Sequence, residues 1–169
     1  MGKVTIVKLG FQSRPDPNNP GQRQIVFDPN YGAIELAGQG IILNVAITVD
    51  NWTRAVLSAQ NQPVPNAIVR PALVDTGASG LALDTSVVHA LNLIRRGTVN
   101  CQTAGGSRTS NMYFVSLSFP GTQLNSYPFL RAAEVDLANM SFKCLIGRET
   151  MMNWHIHYNG QTGHVSIAD

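Results

Sequence analysis

An aspartate, Asp75, ends the apolar run Ala72-Leu73-Val74, and Thr76, Gly77, Ala78 and Ser79 follow it at once. A carboxylate at the end of a hydrophobic strand is costly to bury unless a neighbour pairs with it, hydrogen-bonds it or shares its proton. The small residues behind it let backbone approach closely. On its own, Asp-Thr-Gly specifies no more than an Asx turn between two elements. The surroundings say more. A second apolar run, Phe142 to Gly147, also ends in glycine, and Arg148-Glu149-Thr150 then opens a short helix. Between the two runs lie strand-like segments at 98–104 and 109–119, joined through Gly105-Gly106. In the second of these, Tyr113, Val115, Leu117 and Phe119 alternate with polar positions, which predicts a hairpin with one buried face.

The rest of the chain reads as mostly β with one or two short helices. Residues 31–50 read as strand, on the β-branched character of Gly40 to Asp50. A polar, proline-bearing loop is expected over 51–66 and a further loop over 120–141. Pro71 predicts an edge, a bulge or a break in the run before Asp75. The stretch 83–97 reads as a helix capped by Asp84 or Thr85, with Val87, Val88 and Leu91 on one face and Gly97 as its stop. The last residues form a hairpin around Asn159-Gly160. No internal repeat or linker is visible, so residues 1–169 read as a single domain.

In the order and spacing of Asp75-Thr76-Gly77-Ala78-Ser79, the glycine-tipped hairpin at 103–108 and Leu145-Ile146-Gly147-Arg148, the chain resembles the retropepsin-like aspartic proteases. The resemblance covers about residues 40–169 and leaves 1–39 as an N-terminal extension. It implies a closed, barrel-like β fold that acts as a symmetric homodimer. The family uses two facing Asp-Thr-Gly loops, and this chain has one; Asp84-Thr85-Ser86 starts only nine residues after Asp75 and serves better as a helix cap. The second carboxylate then comes from another copy, across an isologous interface. Two facing carboxylates cannot both ionise cheaply, so the pair holds one proton between them.

The roles implied by the resemblance are these. Asp75, Thr76 and Gly77 form the catalytic loop, and Thr76 bonds across the two-fold axis. Ala78 and Ser79 meet the substrate, as do Gly105 and Gly106 in a flap. Leu73, Leu145 and Ile146 are candidates for subsite walls. Arg148 braces the dimer. Ser79 stands where retroviral members carry an acid that receives this arginine, and Glu149 replaces their commoner Asp or Asn; Asp84 is one candidate for the missing acid. The N-terminal extension and the 51–66 segment exceed the minimal core, and could cover the site, reach the partner subunit or inhibit the enzyme until removed. The activity implied is an aspartic endopeptidase acting on peptide or protein substrates with no cofactor and no metal. A non-catalytic dimerisation or peptide-binding module is the alternative.

Composition restricts the other classes. Charged residues make up 13% and hydrophobic residues 44%, which suits a globular chain and not a disordered one. The net charge is +2 with no basic cluster, so no nucleic-acid partner is expected. The most apolar run, 40–49, is too short to span a membrane, and residues 1–12 lack the pattern of a signal peptide, which predicts a cytoplasmic protein. Cys101 and Cys144 form no C-x-x-C pair and read as thiols, Cys144 buried and Cys101 more exposed. His155, His157 and His164 could suit zinc, but a polar strand face explains them as well.

Overall fold

The computed structural model describes residues 4–103 and 106–169. Its elements are β1 (Val4–Lys8), β2 (Phe11–Pro15), β3 (Arg23–Phe27), α1 (Pro29–Gln39), β4 (Ile41–Val49), α2 (Asn51–Ala59), β5 (Ile68–Val74) and β6 (Leu81–Asp84). They continue with α3 (Thr85–Ala90), β7 (Gly97–Thr103), β8 (Gly106–Ser118), β9 (Tyr127–Val135), β10 (Cys144–Ile146), α4 (Arg148–Met151), β11 (His155–Asn159) and β12 (His164–Ala168). The chain is mostly β, as expected. It divides into two compact units, Met1–Ile41 with Trp154–Asp169, and Ile42–Asn153.

In the first unit, β12 lies between β1 and β11, both antiparallel to it. The closing hairpin is where the sequence put it, and it shares this unit with the N-terminal segment. The turn-rich stretch after Arg14 joins β2 to β3. Residues 31–39, expected as strand, are helix α1 instead. The Asp28 carboxylate accepts the N–H groups of Asn30 and Tyr31 at 3.0 and 3.3 Å, Pro29 opens the first turn, and Gly40 ends the helix at φ 71°. These end signals outweigh the weak strand character of the residues between them.

The second unit holds a seven-stranded sheet in the order β4-β5-β10-β6-β9-β8-β7, and β4 pairs with β8 as well. β5–β10 and β6–β9 are parallel, whereas β10–β6, β9–β8, β8–β7 and β4–β8 are antiparallel. Val45, Ile47, Leu83, Val115, Leu117 and Ile146 are among its fully buried side chains. The alternation in β8 holds, since Tyr113, Val115 and Leu117, and Phe119 just beyond it, are all buried.

Four expectations fail here. The 51–66 segment begins as helix α2, because the buried Asp50 carboxylate caps Trp52 N, Thr53 N and Thr53 Oγ1 at 3.1, 3.0 and 2.6 Å. With α1, this makes four helices among the described residues rather than one or two. The helix expected over 83–97 is only α3: residues 81–84 are drawn into the sheet between β10 and β9, and Asn92 at φ 47° turns the chain out of the helix. The loop expected over 120–141 contains β9, which is held on one side by β6 and on the other by β8. Of the edge, bulge or break expected at Pro71, the structure excludes the break: β5 runs through it, pairing with β10 starts just after it at Ala72, and the Pro71 carbonyl accepts Lys143 N at 2.9 Å.

Candidate active site

The parallel pairing of Val74 with Ile146 carries β5 and β10 to the same end of the sheet. One more backbone bond, Asp75 N to Ile146 O at 2.9 Å, fixes where the aspartate leaves the strand. The chain then turns tightly. Asp75 Oδ1 accepts Gly77 N at 2.8 Å, and Asp75 O accepts Ala78 N at 3.2 Å. A Cβ at Gly77 would stand 3.0 Å from Asp75 Oδ1, so any side chain there would press on the carboxylate and shift it by a few tenths of an ångström. The carboxylate is half-buried, and Oδ2 has no hydrogen-bond partner among the described residues. Thr76 and Gly77 are exposed beside it. The loop thus presents a fixed carboxylate with one oxygen uncommitted.

The second apolar run locks this loop from beneath. Gly147 follows β10 and packs against the backbone of Gly80; a Cβ there would stand 2.6 Å from Gly80 N and nearer still to Gly80 O. The next two residues continue the contact, Arg148 N donating to Ala78 O at 3.0 Å and Glu149 N to Ser79 O at 2.9 Å. The Arg148 guanidinium reaches forward as well. Its Nη1 donates to Thr76 O at 2.6 Å and to Gly77 O at 3.2 Å.

Asp84 is therefore not the acid that receives Arg148. It is buried, and caps α3 by accepting Ser86 N at 3.1 Å and the Ser86 hydroxyl; its other oxygen accepts Leu137 N at 2.7 Å. Burial alone would push the Asp84 carboxyl up, but these hydrogen bonds and the nearby charge of Lys143 hold it below the usual carboxylate range. Arg148 finds carbonyl oxygens where an acid was expected.

A cleft of about 320 Å³ opens beside the loop. Ala78, Ser79 and Leu145 line it, with Val99 and Cys101 from β7 and Met112 from β8. Ile146, expected at a subsite wall, is fully buried between β5 and its neighbours and has no surface to offer. Leu73 is half-buried and lies outside this lining. Gly106 starts β8 opposite Thr103, whereas Gly105 lies outside the described residues. Sequence reasoning did not find Met112 or Arg131. Met112 lies on the face of β8 opposite the alternating apolar set, and Arg131 lies on a strand, β9, that was read as loop.

Cys144 is fully buried and its thiol is pushed up by burial, while Cys101 is half-buried; both are free. His155 and His157 lie exposed on β11, and His164 on β12 pairs with Asn159. Among the described residues, no group of three or more His, Cys, Asp or Glu side chains is placed to hold a metal ion. No helix among them is long and apolar enough to cross a membrane.

The aspartyl protease family matches residues 60–150, a span that starts before β5, includes Asp75 and ends within α4. That is more than half of the chain, and the chain belongs to this family of retropepsin-like aspartyl proteases. No curated protein matches the sequence.

Proposed function

We propose that the protein is an aspartic endopeptidase whose active site is completed by two copies of the chain, with one Asp75 from each. The observation that carries this reading is the Asp75 carboxylate, pinned through Oδ1 to Gly77 N with Oδ2 uncommitted, on a loop that β10 and Arg148 hold from below. A single such loop per chain supports a symmetric pair, with the exposed Thr76 at its axis. The return pairing of β4 with β8 supports a closed, barrel-like sheet. The β7–β8 hairpin serves as the flap over an extended peptide, which lies along the cleft as an added strand.

The chemistry follows from one shared proton. The ionised Asp75 takes a proton from a water held between the two carboxylates as the water oxygen attacks the scissile carbonyl carbon. The protonated Asp75 donates to the carbonyl oxygen and offsets its developing charge. Collapse of the tetrahedral intermediate expels the amine, which leaves with a proton from the pair. The free thiols of Cys101 and Cys144 support a reducing, cytoplasmic setting.

The test is cleavage of an unfolded protein at a series of pH values between about 4 and 7, with wild type beside Asp75→Asn. Wild type cuts and the variant does not, while sedimentation shows both as dimers; specific activity falls on dilution as the dimer dissociates. Two intact, folded dimers that cut nothing would favour a peptide-binding module.

A further inference from the structure

Peptide hydrolysis by an Asp75 pair requires no charge on the cleft wall, yet the wall carries two. Arg131 and Glu149 are the only charged residues among the described residues that line the cleft; Leu145, Val99, Met112 and Ala133 are apolar, and Asn100 and Gln102 neutral. Arg131 Nη2 and Glu149 Oε1 are 3.5 Å apart, and the two side chains keep 62% and 42% of their surface exposed. Such a pair is long and solvated, and contributes little to folding.

The two partners are not equally free. Glu149 is anchored at its backbone by the bond to Ser79 O, and its Oε2 would stand 3.2 Å from a Cβ at Gly80, so it lies against the loop. Arg131 projects from β9, where it pairs in register with Phe114. Its hydrogen bond to Glu149 uses one of five N–H donors, and its guanidinium makes no other hydrogen bond among the described residues. Of the two, Arg131 is the more exposed to a side chain arriving from solvent. A planar guanidinium with spare donors matches a carboxylate in bidentate geometry.

We infer that Arg131 is a specificity-determining residue, which selects peptides carrying an acidic side chain at the subsite beside it, with Glu149 as the partner that the substrate carboxylate displaces. The inference rests on the protease reading for its substrate class, but the cleft can be tested without turnover.

Fluorescein-labelled decapeptides with an apolar centre carry Glu, Gln or Lys at each flanking position in turn. Their cleavage by the dimeric wild type gives kcat/KM, and their binding to Asp75→Asn gives affinity. At one position Glu is preferred over Gln by about three- to fivefold, the scale of an exposed charge pair. Arg131→Gln removes that preference, so Glu and Gln peptides are then cut and bound alike; Arg131→Glu reverses it toward Lys. Glu149→Gln moves the other way and strengthens the preference for Glu. This opposition separates recognition from a merely structural role, in which both variants would lower every peptide alike. Cleavage with no Arg131-dependent preference overturns the inference and leaves the protease standing. An Arg131-dependent preference in binding, with no cleavage by wild type, supports the inference and overturns the protease. No binding of any peptide overturns both.

Discussion

Asp28, Asp50 and Asp84 each cap a helix, while Asp75 closes a turn with one oxygen and keeps the other free. What distinguishes them is how many donors point at the carboxylate. Asp84 has the Ser86 hydroxyl, Ser86 N and Leu137 N, and so joins α3 to the segment after β9. Replacing it with alanine leaves buried donors unpaired, and stability falls by about 2–3 kcal/mol in urea unfolding at neutral pH. The pH sign follows from its depressed folded-state value. Its contribution is present above the unfolded value and is lost as pH falls through the folded one, so wild type and Asp84→Ala converge in stability as the pH drops below about 4. The cap was legible in the sequence because Asp84 stands directly before the helical residues. The bond to Leu137 was not, since it joins residues far apart in the chain. The thiols give a second residue-scale prediction. Iodoacetamide modifies native protein once per chain, at Cys101; Cys144 reacts only after unfolding, because it is fully buried and its thiolate is disfavoured by burial. Peptide mass mapping before and after denaturation reads this directly.

Single elements show how the candidate site depends on close backbone approach. Gly147 has an ordinary φ of −91°, so its requirement is space and not conformation. Gly147→Ala would press a methyl into the Gly80 backbone, and two backbone strands of the site must then separate. The expected cost is about 2–4 kcal/mol in unfolding, on the scale of overpacking, with cleavage lost as the Asp75 loop shifts. Arg148→Lys is the milder probe. It keeps the charge but loses the paired reach to Thr76 O and Gly77 O, so kcat falls at least tenfold while dimer affinity holds, if the guanidinium acts within its own loop. Loss of the dimer with normal activity at high concentration would restore the interface role that the sequence suggested. The elements that carry the site were readable because their signals are local: an apolar run, then Asp75 or Gly147, and a period of two in β8. Helix α2 was hidden because its start rests on the Asp50 cap, while its prolines lie beyond its end. Strand β9 was hidden because two partners distant in sequence, β6 and β8, make it a strand.

At the scale of the molecule, the N-terminal segment is the part whose role the sequence left most open. It could be a removable cover, or it could be part of the fold. The structure places β1 in register with the last strand over all five residues, Val4 with Ala168 through Lys8 with His164. Beyond it, Leu9 N donates to Gly163 O at 3.0 Å. Gly32 then closes the same corner: a Cβ there would stand 2.7 Å from Leu9 O and 3.0 Å from Thr162 O. A segment meant to detach is expected to leave its partners satisfied when it goes. Deleting residues 1–9 would instead strip β12 of a neighbour and leave an open sheet edge, the kind of surface that promotes association between chains. At roughly 1 kcal/mol for each ladder bond, the deletion costs several kcal/mol. The truncated chain therefore melts at markedly lower temperature than the full chain, and aggregates on concentration, in calorimetry and light scattering run side by side. An unchanged melting temperature together with raised cleavage would mean the opposite, that the segment is a cover and that the proposed protease activity is greater without it.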